Sequence, residues 1–113
     1  MHRPLTDSTL YRIDADILIP GRGAPIAHGA VVWKSKTILY SGPQHEVPVE
    51  YQDAVTTHVP VAMPGMWDCH IHFLGATAAT MDSIVNTPQA LAGARSVPDL
   101  YATIMAGFTS VRE

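Results

Sequence analysis

Short β-rich runs, each closed by turn residues, fill the first half of the chain. Leu10-Tyr11-Arg12-Ile13-Asp14-Ala15-Asp16-Ile17-Leu18-Ile19 reads as a first strand, and Pro20-Gly21-Arg22-Gly23 ends it. Ala30-Val31-Val32-Trp33 and Thr37-Ile38-Leu39-Tyr40 are two further runs joined by Lys34-Ser35-Lys36, which predicts a hairpin with a three-residue link. Ser41-Gly42-Pro43 closes it. Residues 44–54 carry Pro48, charges and little period, so a loop with one helical turn at Val49–Asp53 is expected. Thr56–Ala62 is a last short strand. Residues 1–9 read as a polar arm, and residues 10–63 as a small antiparallel β unit with Trp33 and Tyr40 in its core.

A Pro64-Gly65 break introduces a different pattern. From Met66 to Phe73 the even positions Asp68, His70 and His72 are polar, and the odd positions Trp67, Cys69, Ile71 and Phe73 are apolar. Period two predicts a strand over Met66–Phe73 with Asp68, His70 and His72 on one face. Cys69 then joins the opposite, apolar face, against a helix layer, where it packs as a small hydrophobe and not as a nucleophile. Residues i and i+2 of a strand have Cα atoms about 6.5–7 Å apart, so both imidazoles can lean onto one ion at about 2.1 Å. Imidazole suits several metals, so the pair does not choose one. The plainer alternative stays open: two histidines that are hydrogen-bonded or on the surface.

Downstream, Ala76–Asn86 has no strong period and reads as a loop. Thr87 before Pro88 resembles an N-cap followed by Pro at the first helical position. Leu91, Ala94, Leu100, Tyr101, Ile104 and Met105 form an apolar helical face interrupted by Pro98. Either the helix kinks there, or Ser96 caps a second helix. Gly107 is the expected stop, and Phe108–Arg112 the next strand. Strand, helix and strand make a βαβ unit of a parallel sheet, so the fold class is α/β.

Composition narrows the function. With 47% hydrophobic and 15% charged residues the chain has the material for a packed core, which excludes a disordered segment. Seven scattered Lys and Arg against ten Asp and Glu form no basic patch, so nucleic acid is not an expected partner. No apolar run approaches the roughly 18 residues of a membrane span, and Met1–Ser8 lacks the apolar core of a signal peptide. One cysteine, Cys69, allows no intrachain disulfide. A cytoplasmic protein without membrane partners is the expectation.

The frame around the two histidines adds a resemblance. Met63-Pro64-Gly65-Met66-Trp67-Asp68-Cys69-His70-Ile71-His72-Phe73 resembles the first barrel strand of the metal-dependent amidohydrolase superfamily. Ala106-Gly107-Phe108-Thr109-Ser110-Val111-Arg112-Glu113 resembles the run on its second barrel strand, and two motifs in this order are more specific than either alone. The Trp and Cys are most similar to the branch holding imidazolonepropionase-like amidohydrolases, Xaa-Pro dipeptidases and fungal ochratoxin-hydrolysing amidases. Glu113 stands where the family usually has Asp.

The resemblance implies an architecture and a chemistry. Residues 10–63 would be part of a composite β-sandwich, and residues 64–113 the first strand, helix and second strand of a (β/α)8 TIM-like barrel. Such a barrel typically needs ~250 residues, so the expectation is an incomplete barrel in an N-terminal fragment, inactive by itself. His70 and His72 would ligate one or two divalent ions, zinc first among them, that activate water to hydrolyse a carbon–nitrogen bond. The substrate would be a small-molecule amide such as a dipeptide or an N-acyl amino acid. The family's general base falls outside this chain, so no catalytic residue is assigned within it.

Asp68 would orient a histidine ring, or else pair as a buried carboxylate with a barrel Lys or Arg. Arg112 and Glu113, at the C-terminal end of a strand, would touch substrate at the rim of the site or pair with each other. A homo-oligomeric parent is left open. The alternative from another class is a non-enzymatic β-rich interaction module in which His70 and His72 are structural.

Overall fold

The computed structural model describes residues 8–75 and 80–113. The chain divides into two compact units, Met1–Pro64 and Gly65–Glu113. Of the expected polar arm, only Ser8 and Thr9 fall within the described residues.

The first unit is one four-stranded sheet, in the order β3-β2-β1-β4. Its strands are β1 (Leu10–Leu18), β2 (Ile26–Lys34), β3 (Thr37–Pro43) and β4 (Val55–Ala62). β1, β2 and β3 pair antiparallel, as expected. β4 does not. It runs parallel to β1, with Tyr11 opposite Val55 and Ala15 opposite Val59, which corrects the expectation of an all-antiparallel unit. The reason is the connection. Instead of a tight reversal, the chain crosses from β3 to β4 through two 3-10 turns, Gln44–Glu46 and Val49–Tyr51, and a parallel pair requires such a crossover. Pro60 is tolerated because β4 is an edge strand.

The crossover also makes the core. Val47 packs against Ala30 and Val32, and Leu10, Tyr40 and Tyr51 close around them. Arg12 and Asp14 pair at 2.6 Å, and their side chains are only 14% and 21% exposed, so the charges are neutralised where the crossover covers the sheet. Gln44 donates from its side-chain amide to the carbonyls of Ala15 and Gly29. Those carbonyls flank the step where β1–β2 pairing passes over Asp16 and His28, and His28 has φ +51°.

Trp33 is half-buried, stacked on Tyr11 across the β1–β2 pair with centroids 5.6 Å apart. The Tyr40 hydroxyl donates to the Pro43 carbonyl at 2.6 Å. Burial, then the Glu46 charge, raises its pKa above the ordinary 10.0, and Arg12 opposes the shift. The β2–β3 hairpin turns on Ser35 and Lys36 alone, with Lys34 opposite Thr37 and Ser35 at φ +55°, so the link has two residues and not three. His28, His45 and His58 are exposed; His58 Nε2 lies 3.1 Å from Asp16 Oδ1 on the neighbouring strand.

The second unit is a βαβ arrangement. β5 (Met66–Asp68) and β6 (Phe108–Val111) form a parallel pair, and α1 (Met81–Val85) and α2 (Gln89–Met105) lie between them in sequence. Part of the expected loop, Ala76–Ala79, lies outside the described residues; the rest contains α1, capped by Thr80, whose hydroxyl accepts from the Ser83 amide. Thr87 does not cap α2. Its hydroxyl donates back to the Ser83 carbonyl, and Pro88 holds the cap position without a side-chain bond. α2 runs through Pro98 as one helix, with the Ser96 hydroxyl bonded to the Gly93 carbonyl. Gly107, at φ +92°, ends the helical segment as the pattern predicts. Among the described residues every buried hydrophobic side chain belongs to the first unit, while Leu91, Leu100 and Ile104 of α2 are exposed.

Two substitutions test this packing. Val32→Ala should cost on the order of 2 kcal/mol, read as a lower denaturant midpoint, because Val32 is fully buried. Gly29→Ala should cost at least as much. Its new methyl would stand 2.2 Å from the Leu18 Cβ, an atom too close to its own backbone to step aside.

Candidate functional site

The strand that brings the histidine segment into place ends sooner than the alternation predicts. β5 stops at Asp68, and the chain bends at Cys69 and His70 where a strand through Phe73 was expected. Two features force the bend. The partner β6 stops at Val111, so regular pairing stops with it. The Asp68 carboxylate also turns back and accepts from the His70 amide at 3.1 Å, a local bond that competes with strand geometry.

The segment is nonetheless anchored. The Arg112 amide donates to the Asp68 carbonyl at 2.9 Å, and the Ile71 amide to the Arg112 carbonyl at 3.2 Å. The Glu113 carboxylate then accepts from the Phe73 amide at 3.1 and 3.3 Å. Gly75 closes the segment at φ +60°; a methyl group there would stand 2.2 Å from the Ala92 backbone oxygen of α2.

These ties bring the two histidines together. Their rings meet edge to face with centroids 4.9 Å apart, and the two Nε2 atoms are separated by 3.1 Å. Cys69, His70, His72, Arg112 and Glu113 line one cavity of about 290 Å³. His72 directs its other ring nitrogen, Nδ1, toward Glu113 Oε1 at 4.0 Å.

Cys69 corrects the expectation. Once the chain leaves the strand, alternation no longer governs its side chains, so Cys69 is exposed and shares the histidine cavity instead of packing under a helix. Asp68 is half-buried and holds the His70 backbone amide, not a ring nitrogen. Arg112 and Glu113 both reach the cavity. Glu113's hold on Phe73 links residues forty apart in sequence, and no local pattern announces it.

The donor chemistry fits a divalent ion in part. Two Nε2 atoms 3.1 Å apart are closer than the span of two metal–nitrogen bonds of about 2.1 Å each. Among the described residues, however, no group of three or more His, Cys, Asp or Glu side chains is arranged to hold a metal. His70 and His72 are two donors where a catalytic zinc generally takes three from protein.

No protein-family model matches the chain. Among curated proteins, an ochratoxinase of Aspergillus niger is 39% identical over 105 residues, which are 89% of this chain and 22% of its own length. The crystal structure of A. niger ochratoxinase superimposes with a TM-score of 0.84 at 37% identity, covering 93% of this chain and 25% of that one. Over most of its own length the chain is thus similar to one part of an ochratoxinase. A prolidase solved with N-methylphosphonate-L-proline superimposes with a TM-score of 0.75 at 32% identity, over 92% of this chain and 25% of its own. A Xaa-Pro dipeptidase, at 20% identity and a TM-score of 0.68, shares the fold. The chain spans about a quarter of the length of these solved relatives and 22% of the curated ochratoxinase. No helix among the described residues is long and apolar enough to cross a membrane.

The tie at Asp68 can be tested directly. Asp68→Asn keeps an oxygen that can accept from the His70 amide and should leave stability nearly unchanged. Asp68→Ala should lower it by about 1–2 kcal/mol in chemical denaturation.

Proposed function

We propose that the protein carrying this chain is a metal-dependent hydrolase of carbon–nitrogen bonds in small amides, and that His70 and His72 hold its ion through Nε2. The observation that carries the reading is the 3.1 Å convergence of the two Nε2 atoms in a cavity shared with Arg112 and Glu113. Sequence likeness to an ochratoxinase and a prolidase supports the reaction class. In this reading β5 and β6 are the first two strands of a (β/α)8 barrel, and the β1–β4 sheet is one part of a composite β-sandwich.

A divalent ion bound there supplies Lewis acidity toward an amide carbonyl and makes water a stronger acid near neutral pH. The residues of this chain do the rest of the local work. His70 and His72 fix the position of the ion, held by Asp68 on one side of the bend and Glu113 on the other. Arg112, a permanent cation on the same cavity, would take a substrate carboxylate through the planar fork of its guanidinium. Dipeptides and N-acyl amino acids carry such a carboxylate beside the scissile bond, and we assign them as the substrate class. No general base is assigned among these residues.

In the full-length product of the gene, His70→Ala and His72→Ala should each lower both bound metal and turnover of an N-acyl amino acid. The loss should exceed the roughly 10–100-fold typical of removing a residue that only orients a ligand. Chelation should abolish turnover and added zinc restore it. Full metal occupancy with near-normal turnover in either variant would remove the histidines from the metal site.

A further inference from the structure

The mechanism above leaves one contact unused, that of Glu113 with the His72 ring. Its carboxylate oxygens accept from the Phe73 amide, one residue beyond His72, and Oε1 also faces His72 Nδ1 at 4.0 Å. The opposite nitrogen of the same ring, Nε2, points to His70 Nε2. An imidazole placed this way has its two nitrogens in two different environments, one beside a carboxylate and one beside another ring nitrogen. A neutral ring carries a single proton, and a carboxylate offers only acceptors.

From this arrangement we infer that Glu113 is the positioning residue of His72: it selects the tautomer with the proton on Nδ1, so that the Nε2 lone pair is presented to the ion. The inference rests on the reading of His70 and His72 as metal ligands. At 4.0 Å the Nδ1–Oε1 contact is longer than a hydrogen bond and acts as a charge–dipole contact, with the Phe73 amide keeping the carboxylate at its post. The metal-free geometry follows. With His72 Nε2 unprotonated, the 3.1 Å contact between the rings is a hydrogen bond donated by His70 Nε2–H.

The carboxylate has a second effect. Because it grips the backbone at Phe73 and faces the ring at His72, it couples the ring's orientation to the end of β6. Asp68 makes only the first kind of contact, on the amide of His70. The two acids flanking the bend therefore differ in role, and Glu113 is the one that touches ligand chemistry. Ligating histidines generally donate their second ring nitrogen to a carboxylate or carbonyl, and losing that partner typically costs about 10–100-fold in metal affinity.

The test uses the full-length protein with ring-15N-labelled histidine, its His72 signals assigned with His72→Gln, alongside zinc affinity from chelator competition. Metal-free wild type should show His72 protonated on Nδ1 and His70 on Nε2. Glu113→Gln should weaken zinc binding about 10–100-fold and shift His72 toward the Nε2-protonated form. Glu113→Asp, which restores a carboxylate, should recover the Nδ1 tautomer and most of the affinity. His72 protonated on Nε2 in the wild type would overturn the inference, and so would a Glu113→Gln variant with unchanged tautomer and affinity. Should Glu113→Gln fail to fold, the wild-type tautomer decides by itself. If the wild type binds no zinc, the metal-site reading fails first. If it binds zinc and Glu113 proves indifferent, only the positioning role is lost.

Discussion

Everything in the candidate site depends on how a short irregular segment is tied to the end of one strand. Residues 69–73 leave the sheet at Asp68, yet four hydrogen-bonded anchors return them to it: the Arg112 amide on Asp68, the Ile71 amide on Arg112, Asp68 on the His70 amide, and Glu113 on the Phe73 amide. Without those ties two histidines on a bend would have no reason to face each other. With them, the Nε2 atoms stand 3.1 Å apart. The arrangement uses backbone groups and short carboxylates, which fix position more tightly than long side chains do.

The ties also depend on close approach by small residues. A methyl on Gly65 would lie 2.0 Å from the Thr109 hydroxyl oxygen, so β5 and β6 come together only because Gly65 has no side chain. Gly107 turns the chain from α2 into β6 and thereby sets where Arg112 and Glu113 emerge. The apolar face of α2 contributes little burial among the described residues, so the order of the site comes from backbone hydrogen bonds rather than from a hydrophobic core.

Much of this was legible in the sequence, for physical reasons that can be named. Turn residues mark the end of β1 because Pro and Gly interrupt pairing there, whereas Ser41, Gly42 and Pro43, read as a closing turn, stay paired with β2 inside β3. Gly107 marks the end of the helical segment because a left-handed residue suits it. His70 and His72 stand out because one short segment carries both. What the sequence could not convey is what long-range contacts decide. β4 pairs parallel to β1 because of a crossover whose route no local period records. Cys69 shares the histidine cavity because a carboxylate bond to the next amide overrides strand alternation. Thr87 has the residue type of an N-cap but spends its hydroxyl on the Ser83 carbonyl.

The central claim is that the two imidazoles, through Nε2, are the ligands this chain gives to a divalent ion. X-ray absorption at the zinc edge of the loaded full-length protein measures that directly. The account predicts a nitrogen and oxygen shell at about 2.0–2.1 Å with the multiple scattering of at least two imidazoles. A sulfur shell at about 2.3 Å would hand the site to Cys69, the exposed thiol in the same cavity, and contradict it.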